Sequence, residues 1–248
     1  MDTTGLFWNA SIQELKKGYV EENDCFTCLL CGKRIEKGLI YPFEDMLYEA
    51  ERYTQIHIKQ EHVSVFDYIM NMDKKLTGLT EHQNKLLRLF YEGKNNKEVQ
   101  AEMGIGSVST IRNHRFALKE KERQAKMFLA VMELLNEKDA HAPALVPPHK
   151  QARMVDSRYN VTEEEQQKII EKFIPNGMLL SFPPREKQRL VVMREIAKKF
   201  TAGQVYNENE TNDLLIAVFG DYVKVRRYLI EYGFLNRKPD GSEYWVNE

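Results

Sequence analysis

The chain has 248 residues, of which 42% are apolar and 10% aromatic, so two or three small domains could each bury a core. Its 36 Lys+Arg and 37 Asp+Glu leave a formal net charge of -1, so only local clusters of positive charge can indicate a polyanionic partner. No apolar stretch approaches the roughly 20 residues of a membrane helix, and the first residues lack a signal-peptide pattern. We therefore expect a cytoplasmic protein without membrane contact.

The first segment, residues 1–76, combines short helices and strands. Ser11 and Glu14 have the spacing of a capping box and Gly18 is a stop signal, which together predict a short helix. Short strands are expected between residues 26 and 41, followed by a helix from about 45 to 62. We predict a ββα-like module.

Four side chains of this module have metal-ligand spacing. Cys28, Cys31, His57 and His62 form C-x2-C-x25-H-x4-H, and two thiolates with two imidazoles suit tetrahedral zinc. Gly32 fits the tight turn that directs two thiolates at one ion. The imidazoles converge only if the last helical turn loosens near His62. Four protein ligands fill the coordination shell, so we expect the Zn²⁺ to be structural.

The third cysteine, Cys25, leaves alternatives open. Cys25 could replace Cys28 or Cys31 as a ligand, although no glycine follows Cys28, which favours the pair 28 and 31. The cysteines could also be unmetallated buried thiols beside ordinary helix histidines, or a thiol redox switch. The string FxCxxCGK at 26–33 resembles the opening of a C2H2 zinc finger. Because the first histidine follows after 25 residues instead of about twelve, the resemblance implies no base contacts.

The second segment, residues 77–138, predicts three helices. They are expected at about 80–92, 95–103 and 107–138. Thr80 with Gln83 caps the first helix, and Gly104 ends the second. The third helix starts with short polar and cationic side chains, which reach phosphates and base edges when a helix N-terminus enters the major groove. The stretch 112–126 has six Lys/Arg against two Glu, so it is cationic in a neutral chain.

Several blocks of this segment resemble a LuxR-type helix-turn-helix domain. They are LTE at 79–81, GKNNKEV at 93–99, MGI at 103–105 and TIRNH at 110–114. The resemblance implies that the third helix binds double-stranded DNA, and by position it assigns contacts to Thr110, Arg112, Asn113 and Arg115. Side-chain chemistry adds base contacts from Ser109 and phosphate contacts from Lys119. One residue more than the family pattern precedes Thr110, which leaves the phase of the helix open by about 100°.

Two alternatives concern the same segment. The three helices could form a plain helical core whose basic face is only solvated. An apolar stretch later in the third helix predicts a homodimer seam or a docking face for the zinc module. Its residues are Met127, Phe128, Val131, Met132, Leu134 and Leu135. We favour the dimer, because readers of this type usually need two half-sites for specificity.

Prolines 143, 147 and 148 predict a linker at 139–162, followed by a last domain at 163–248. Helices are expected at 163–173, 185–200, 208–219 and 221–232, with a β-hairpin around 239–242, which is winged-helix order.

The stretch 224–238 has five Lys/Arg against one Glu. A possible second DNA-binding surface therefore comprises Lys224, Arg227, Arg237 and Lys238. Alternatively, Arg226 and Arg227 pair with acids such as Asp221 or Glu231, and the domain serves assembly or sensing. The run 206–245 is similar to an uncharacterised bacterial family often attached to transcriptional regulators.

Together these patterns predict a mainly α-helical bacterial transcriptional regulator that binds DNA sequence-specifically and contains structural zinc. The competing hypothesis is a zinc-containing protein-interaction adaptor without direct DNA binding. An enzyme is not expected, since the chain has no P-loop, no G-x-G-x-x-G, no G-x-S-x-G and no open metal site. The three glutamates at 163–165 have the placement of a helix start.

Overall fold

The computed structural model describes residues 3–153 and 155–246, and most of these are helical. The α-helices are α1 (Thr3–Asn9), α2 (Ile12–Lys17), α3 (Ala50–His62), α4 (Val65–Met70), α5 (Lys74–Thr77), α6 (Glu81–Tyr91), α7 (Asn96–Met103), α8 (Val108–Asn136), α9 (Glu163–Phe173), α10 (Glu186–Ala197), α11 (Glu208–Ile216) and α12 (Tyr222–Tyr232). The strands are β1 (Tyr19–Glu21), β2 (Cys25–Cys28), β3 (Arg34–Glu36), β4 (Ile40–Phe43), β5 (Met46–Glu49), β6 (Leu235–Arg237) and β7 (Tyr244–Val246). The prediction of a mainly helical chain with small β-hairpins is confirmed.

The chain forms two compact units. The central unit is Gly78–Ala144, and the other unit combines the residues up to Thr77 with those from Leu145 onward. The second unit contains two separate hydrophobic cores, so we call it the two-lobed unit, with an N-terminal lobe up to Thr77 and a C-terminal lobe from Leu145.

This grouping differs from the predicted series of three domains and a linker. We expected residues 139–162 to be a spacer, but His149, Lys150 and Ala152 within that range are buried. Prolines alone do not make a segment flexible when its remaining backbone groups are paired. The amide of Val146, for example, donates to the carbonyl of Val161 at 2.9 Å.

The N-terminal lobe is built on antiparallel strands. β2 pairs with β1 and with β3, β4 pairs with β5, and α3 packs on this framework. Side chains alternate between the two faces of a strand, so Phe26 and Cys28 share one face of β2 while Cys25 and Thr27 share the other. The predicted capping box of Ser11 and Glu14 opens α2.

The C-terminal lobe has the predicted order of helices followed by a hairpin. Asp221 caps α12, and Gly233 ends it in the left-handed conformation at φ 84°. β6 and β7 form an antiparallel hairpin, and Tyr206 bridges to Tyr244 on β7. The core lies between α10, α11, α12 and the hairpin, with Leu215, Leu229 and Val225 fully buried.

The central unit is a three-helix arrangement of α6, α7 and α8. Capping boxes open α6 at Thr80 and α7 at Asn95, and Gly104 ends α7 at φ 63°. The 29 residues of α8 form one uninterrupted helix. Leu86, Leu89, Val99 and Ile111 form the buried core. No helix of the described residues is long and apolar enough to span a bilayer.

Candidate metal centre and recognition helix

The two cysteines of the predicted metal site lie on a tight turn that follows β2. The amide of Gly32 donates to the carbonyl of Cys28 at 2.8 Å, and the amide of Cys28 donates to the carbonyl of Lys33 at 2.9 Å. Gly32 has a φ of 77°, where a Cβ would be strained. The glycine therefore lets the turn close with Cys28 and Cys31 on one side, as expected from the sequence.

The two histidines come from the end of α3. Helix α3 stops at His62, and Val63 then has φ 62° and ψ -61°, while the amide of Ser64 donates to the carbonyl of His62 at 2.6 Å. This is a γ-turn, which is rare and strained, particularly for a β-branched residue. The sequence predicted a loosening of the last helical turn. In the structure the helix keeps its form to His62 and reverses abruptly after it.

The four side chains converge on one point. One donor atom from each of Cys28, Cys31, His57 and His62 lies within 4.8 Å of the other three. The Cys31 Sγ and His57 Nε2 atoms are 3.2 Å apart, and the two imidazole rings are nearly perpendicular, at 88°. His62 Nε2 is buried without a hydrogen-bond partner among the described residues. Ligand atoms around tetrahedral zinc lie roughly 3.3–3.8 Å apart, so small side-chain adjustments would bring the group to the separations of such an ion.

The environment of the turn favours the thiolate form of Cys28. A hydrogen bond from the Cys31 thiol is the largest cause that lowers the pKa of Cys28 to about 7. The backbone amides of Cys31 and Leu30 and the positive charge of Lys150 lower this pKa further, while burial opposes them. The same sulfur pair raises the pKa of Cys31. Since thiolates are the metal-binding form, the turn is prepared for a cation.

A buried lysine supports this turn from the other lobe. Lys150 is 0% exposed, and its Nζ donates to the carbonyls of Leu29 at 3.0 Å and Leu30 at 3.1 Å. These two residues lie between the cysteines in the chain. Our sequence interpretation missed Lys150, because a lysine in a proline-containing segment carries no local signal of burial.

The ligand set opens onto a cleft. Cys31, His57 and His62 line a cavity of about 940 Å³ within the two-lobed unit. Its opposite side belongs to the C-terminal lobe and includes Val205 and Trp245. Three members of the candidate metal-binding group therefore border a cavity that residues of both lobes line.

Cys25 is separate from this group. It lies on the opposite face of β2, and its thiol donates to a carboxylate oxygen of Glu22 at 3.3 Å. Of the alternatives left open by the sequence, the structure thus brings together the pair Cys28 and Cys31.

The beginning of α8 has one buried and one exposed side. Ile111 is fully buried, which sets the phase of the helix that the sequence left open. Ser109, Arg112 and Asn113 are exposed, and so is Phe116, at 65%. These four positions follow i, i+3, i+4 and i+7 spacing, so they share one helix face, which we call the recognition face. Thr110 is half-buried beside the cap, with its hydroxyl 3.0 Å from that of Ser107.

Two predicted contact residues have other partners. The Arg115 guanidinium stacks 3.6 Å from the ring centroid of Phe90 and donates to Asn96 Oδ1 at 2.8 Å. Arg115 therefore braces α8 against α6 and α7 and lies outside the recognition face, while its predicted contact with DNA stays a prediction. Lys119 is exposed, but its Nζ pairs with Glu122 at 2.6 Å. Phe116 was missed, because an aromatic residue at helical spacing normally indicates core.

Two of the four residues of the second predicted cationic surface, in the C-terminal lobe, have partners within the protein. The Lys224 ammonium lies 4.0 Å from the ring centroid of Phe182, and Lys238 pairs with Glu243. Arg227 and Arg237 are exposed. In addition, Arg226 pairs with Glu208 at 2.9 Å, instead of with the acids considered from the sequence. These intramolecular contacts leave less of the local positive charge available to a polyanionic partner.

Comparison with known proteins identifies one family. Residues 178–246 match a family described as an uncharacterized protein conserved in bacteria (DUF2087). The matched range lies in the C-terminal lobe and includes α10, α11, α12 and the hairpin, in agreement with the similarity to a bacterial family noted in this region. No curated protein and no solved structure matches the chain. The LuxR-type resemblance of the central unit receives no support from these comparisons.

Proposed function

We propose that this protein is a zinc-containing, sequence-specific DNA-binding transcriptional regulator. The observation that carries the proposal is the recognition face of α8, where Ser109, Arg112, Asn113 and Phe116 project from a helix fixed by buried Ile111. Hydroxyl, amide and guanidinium groups are those that reach base edges and phosphates. An exposed phenyl ring on the same face suits apolar contact with a thymine methyl group.

Electrostatics at this end of α8 also favour a polyanion. The first amides of a helix carry partial positive charge, and no acidic residue lies in the first turn of α8. Arg112 has no acidic partner among the ion pairs of the described residues, so its charge is available to a phosphate or to guanine. DNA affinity from these contacts would fall steeply with salt.

We propose zinc as the ion of the metal centre. Two thiolates and two imidazoles are a ligand set that zinc prefers, their donor atoms here lie within 4.8 Å of one another, and four protein ligands leave no position for a reactive water. The ion would hold the turn of Cys28 and Cys31 against the end of α3. Its role would be structural.

A specific observation supports protein interaction as a second candidate function. Between Met127 and Leu135, α8 is almost wholly apolar, yet six of its large side chains are between 44% and 63% exposed: Met127, Phe128, Leu129, Val131, Leu134 and Leu135. A helix that is apolar on all sides is normally covered. In the regulator this stretch would form a homodimer seam; in an adaptor it would bind another protein.

In-vitro selection from random duplexes, followed by binding measurements over a salt series, tests the regulator. We expect selected duplexes to bind, with Arg112→Ala weakening affinity by about 1–3 kcal/mol. Lys85→Ala removes an equal charge from the exposed side of α6 in the same unit and serves as the matched control. Equal losses in both variants would contradict specific recognition by Arg112, and absence of any salt-dependent binding would favour the adaptor.

A further inference from the structure

Residues 145–153, the first segment of the C-terminal lobe, which we call the strap, contact the N-terminal lobe as well as the helices of their own lobe. The carbonyl of Pro148 accepts a hydrogen bond from Trp8 Nε1 in the N-terminal lobe at 2.7 Å. The carbonyl of the preceding Pro147 accepts one from Arg194 on α10 in the C-terminal lobe at 2.6 Å. Neighbouring peptide groups are thus tied to different lobes.

The next two side chains repeat this division. His149 stacks on Phe234 with ring centroids 4.0 Å apart, and its Nε2 donates to the carbonyl of Tyr232 at 3.0 Å, which fixes it to the end of α12. Lys150 points the other way and donates to the carbonyls of Leu29 and Leu30 in the cysteine turn. A single peptide unit therefore separates the contact to α12 from the contact to the metal-binding turn.

The strap fits tightly against the C-terminal lobe. A Cβ added to Gly233 would lie 2.4 Å from the backbone oxygen of Gln151 and 3.2 Å from Cγ of Arg153. Such an approach is possible only for glycine. Movement of the strap would therefore change the packing around Gly233 at the end of α12.

The two hydrogen bonds of Lys150 depend on the conformation of the turn between Cys28 and Cys31. Leu29 and Leu30 lie between Cys28 and Cys31, so the direction of their carbonyls is set by the turn that brings both sulfurs to one ion. A buried ammonium needs its acceptors, since burying charge without hydrogen bonds is strongly unfavourable. If the turn opened, Lys150 would lose two acceptors while enclosed by protein.

The backbone after His62 explains why loss of the ion would let the turn of Cys28 and Cys31 open. Val63 is held in a γ-turn directly after His62, and such a conformation persists only where the surroundings impose it. A metal bond to His62 would impose it. Loss of the ion would let residues 62–64 relax and remove one anchor of the ligand set.

We propose that the bound divalent ion acts as a reversible link between the lobes, which couples occupancy of the metal centre to the order of the strap and of the end of α12. This inference rests on the proposed metal site and is independent of DNA binding. The open cleft beside Cys31, His57 and His62 gives a chelator or a competing metal-binding molecule access to the ion. Metal availability would thereby control how firmly the C-terminal lobe is held.

Hydrogen exchange on the full chain, zinc-loaded and after chelation, tests the link once zinc stoichiometry has been measured. On zinc removal we expect amides at 149–153 and 232–235 to exchange about tenfold faster or more, while amides of α6 in the central unit stay unchanged. Stoichiometric zinc with unchanged exchange at 232–235 would overturn the link and leave the metal site intact. Absence of zinc uptake would overturn both the metal site and the link, without bearing on DNA binding.

Lys150→Met separates the link from simple destabilisation of the N-terminal lobe. Because coupling between two sites is reciprocal, we expect this variant to bind zinc about tenfold more weakly in chelator competition, with exchange at 232–235 no longer zinc-dependent. Lys16→Met, which replaces an exposed lysine of α2, should match the wild type. Equal zinc affinity in the two variants would contradict the coupling. If Lys150→Met does not fold, the wild-type comparison decides alone.

Discussion

The two compact units differ in what holds them together. The central unit has a small core, Leu86, Leu89, Val99 and Ile111, and its helices are fixed by local caps. The two-lobed unit has two larger cores, a convergent group of two cysteines and two histidines, and a strap whose contacts join residues far apart in the sequence. Local signals therefore determine much of the central unit, whereas the two-lobed unit depends on long-range contacts.

Removal of a metal ligand should show the greatest contrast between the units. Cys28→Ser takes away a buried thiolate, and structural zinc sites contribute on the order of 10 kcal/mol of apparent binding free energy. We expect the variant to lose stoichiometric zinc and the N-terminal lobe to lose much of its unfolding free energy, while the central unit keeps its helical signal. Zinc content by metal analysis and circular dichroism measure the two effects.

Cys25→Ser is the matched control for that experiment. Cys25 is also a fully buried cysteine of β2, but it faces Glu22 and Thr27 on the other side of the strand. It should keep one zinc per chain. Zinc loss in Cys25→Ser, or retention in Cys28→Ser, would show that the ligand set is wrong.

The contrast between local and long-range contacts also explains which features of the structure could be predicted from the sequence. Caps such as Thr80, Asn95 and Asp221 were predictable because cap and helix are adjacent in the chain. The convergence of Cys28, Cys31, His57 and His62 was predictable because few other roles bring Cys and His together at that spacing. Lys150 was not, since its acceptors are 120 and 121 residues away. The phase of α8, and with it the roles of Arg115 and Phe116, needed the packing of Ile111.

A core truncation should affect the central unit more severely than the larger one. Ile111→Ala removes a fully buried side chain, and such changes lower stability by about 2–5 kcal/mol. With so small a core we expect the central unit to be largely unfolded at 37 °C, with zinc content unchanged. Ile196→Ala, in α10, removes an equally buried side chain from the C-terminal lobe, which should stay folded. Calorimetry of both variants distinguishes the units, and equal loss of folding would contradict the comparison.

Mild acid should weaken the two-lobed unit through the strap. Burial, with Arg194 nearby, lowers the pKa of His149 to about 3, whereas an unfolded histidine titrates near about 6.5. Below about pH 6.5 the unfolded chain takes up a proton that the folded chain does not. The contribution of His149 to stability is therefore complete above that pH and declines by roughly 1.4 kcal/mol per pH unit towards pH 3.

The variant His149→Gln isolates this effect from protonation of the metal ligands. Glutamine keeps a hydrogen-bond donor for the carbonyl of Tyr232 but does not titrate. Between pH 7 and pH 5.5 we expect the wild type to lose about 1 kcal/mol more unfolding free energy than the variant. Denaturant titrations at the two pH values measure the difference. Parallel losses would mean that His149 is protonated in the folded protein.

The smallest expected effect is the loss of a helix N-cap, which can be compared between the two units at closely matched positions. Asn95 opens α7 in the central unit and Asn207 opens α11 in the two-lobed unit, each in a capping box, with Glu98 and Glu210 respectively. Replacement of either asparagine by alanine should lower stability by about 1 kcal/mol. The same free energy shifts the melting temperature by about 4–8 °C in a domain as small as the central unit and by about 2–4 °C in one as large as the two-lobed unit. Asn95→Ala should therefore move its calorimetric transition roughly twice as far as Asn207→Ala moves the other. Equal shifts would mean that the two units unfold together, because a single cooperative transition has one entropy of unfolding for both caps.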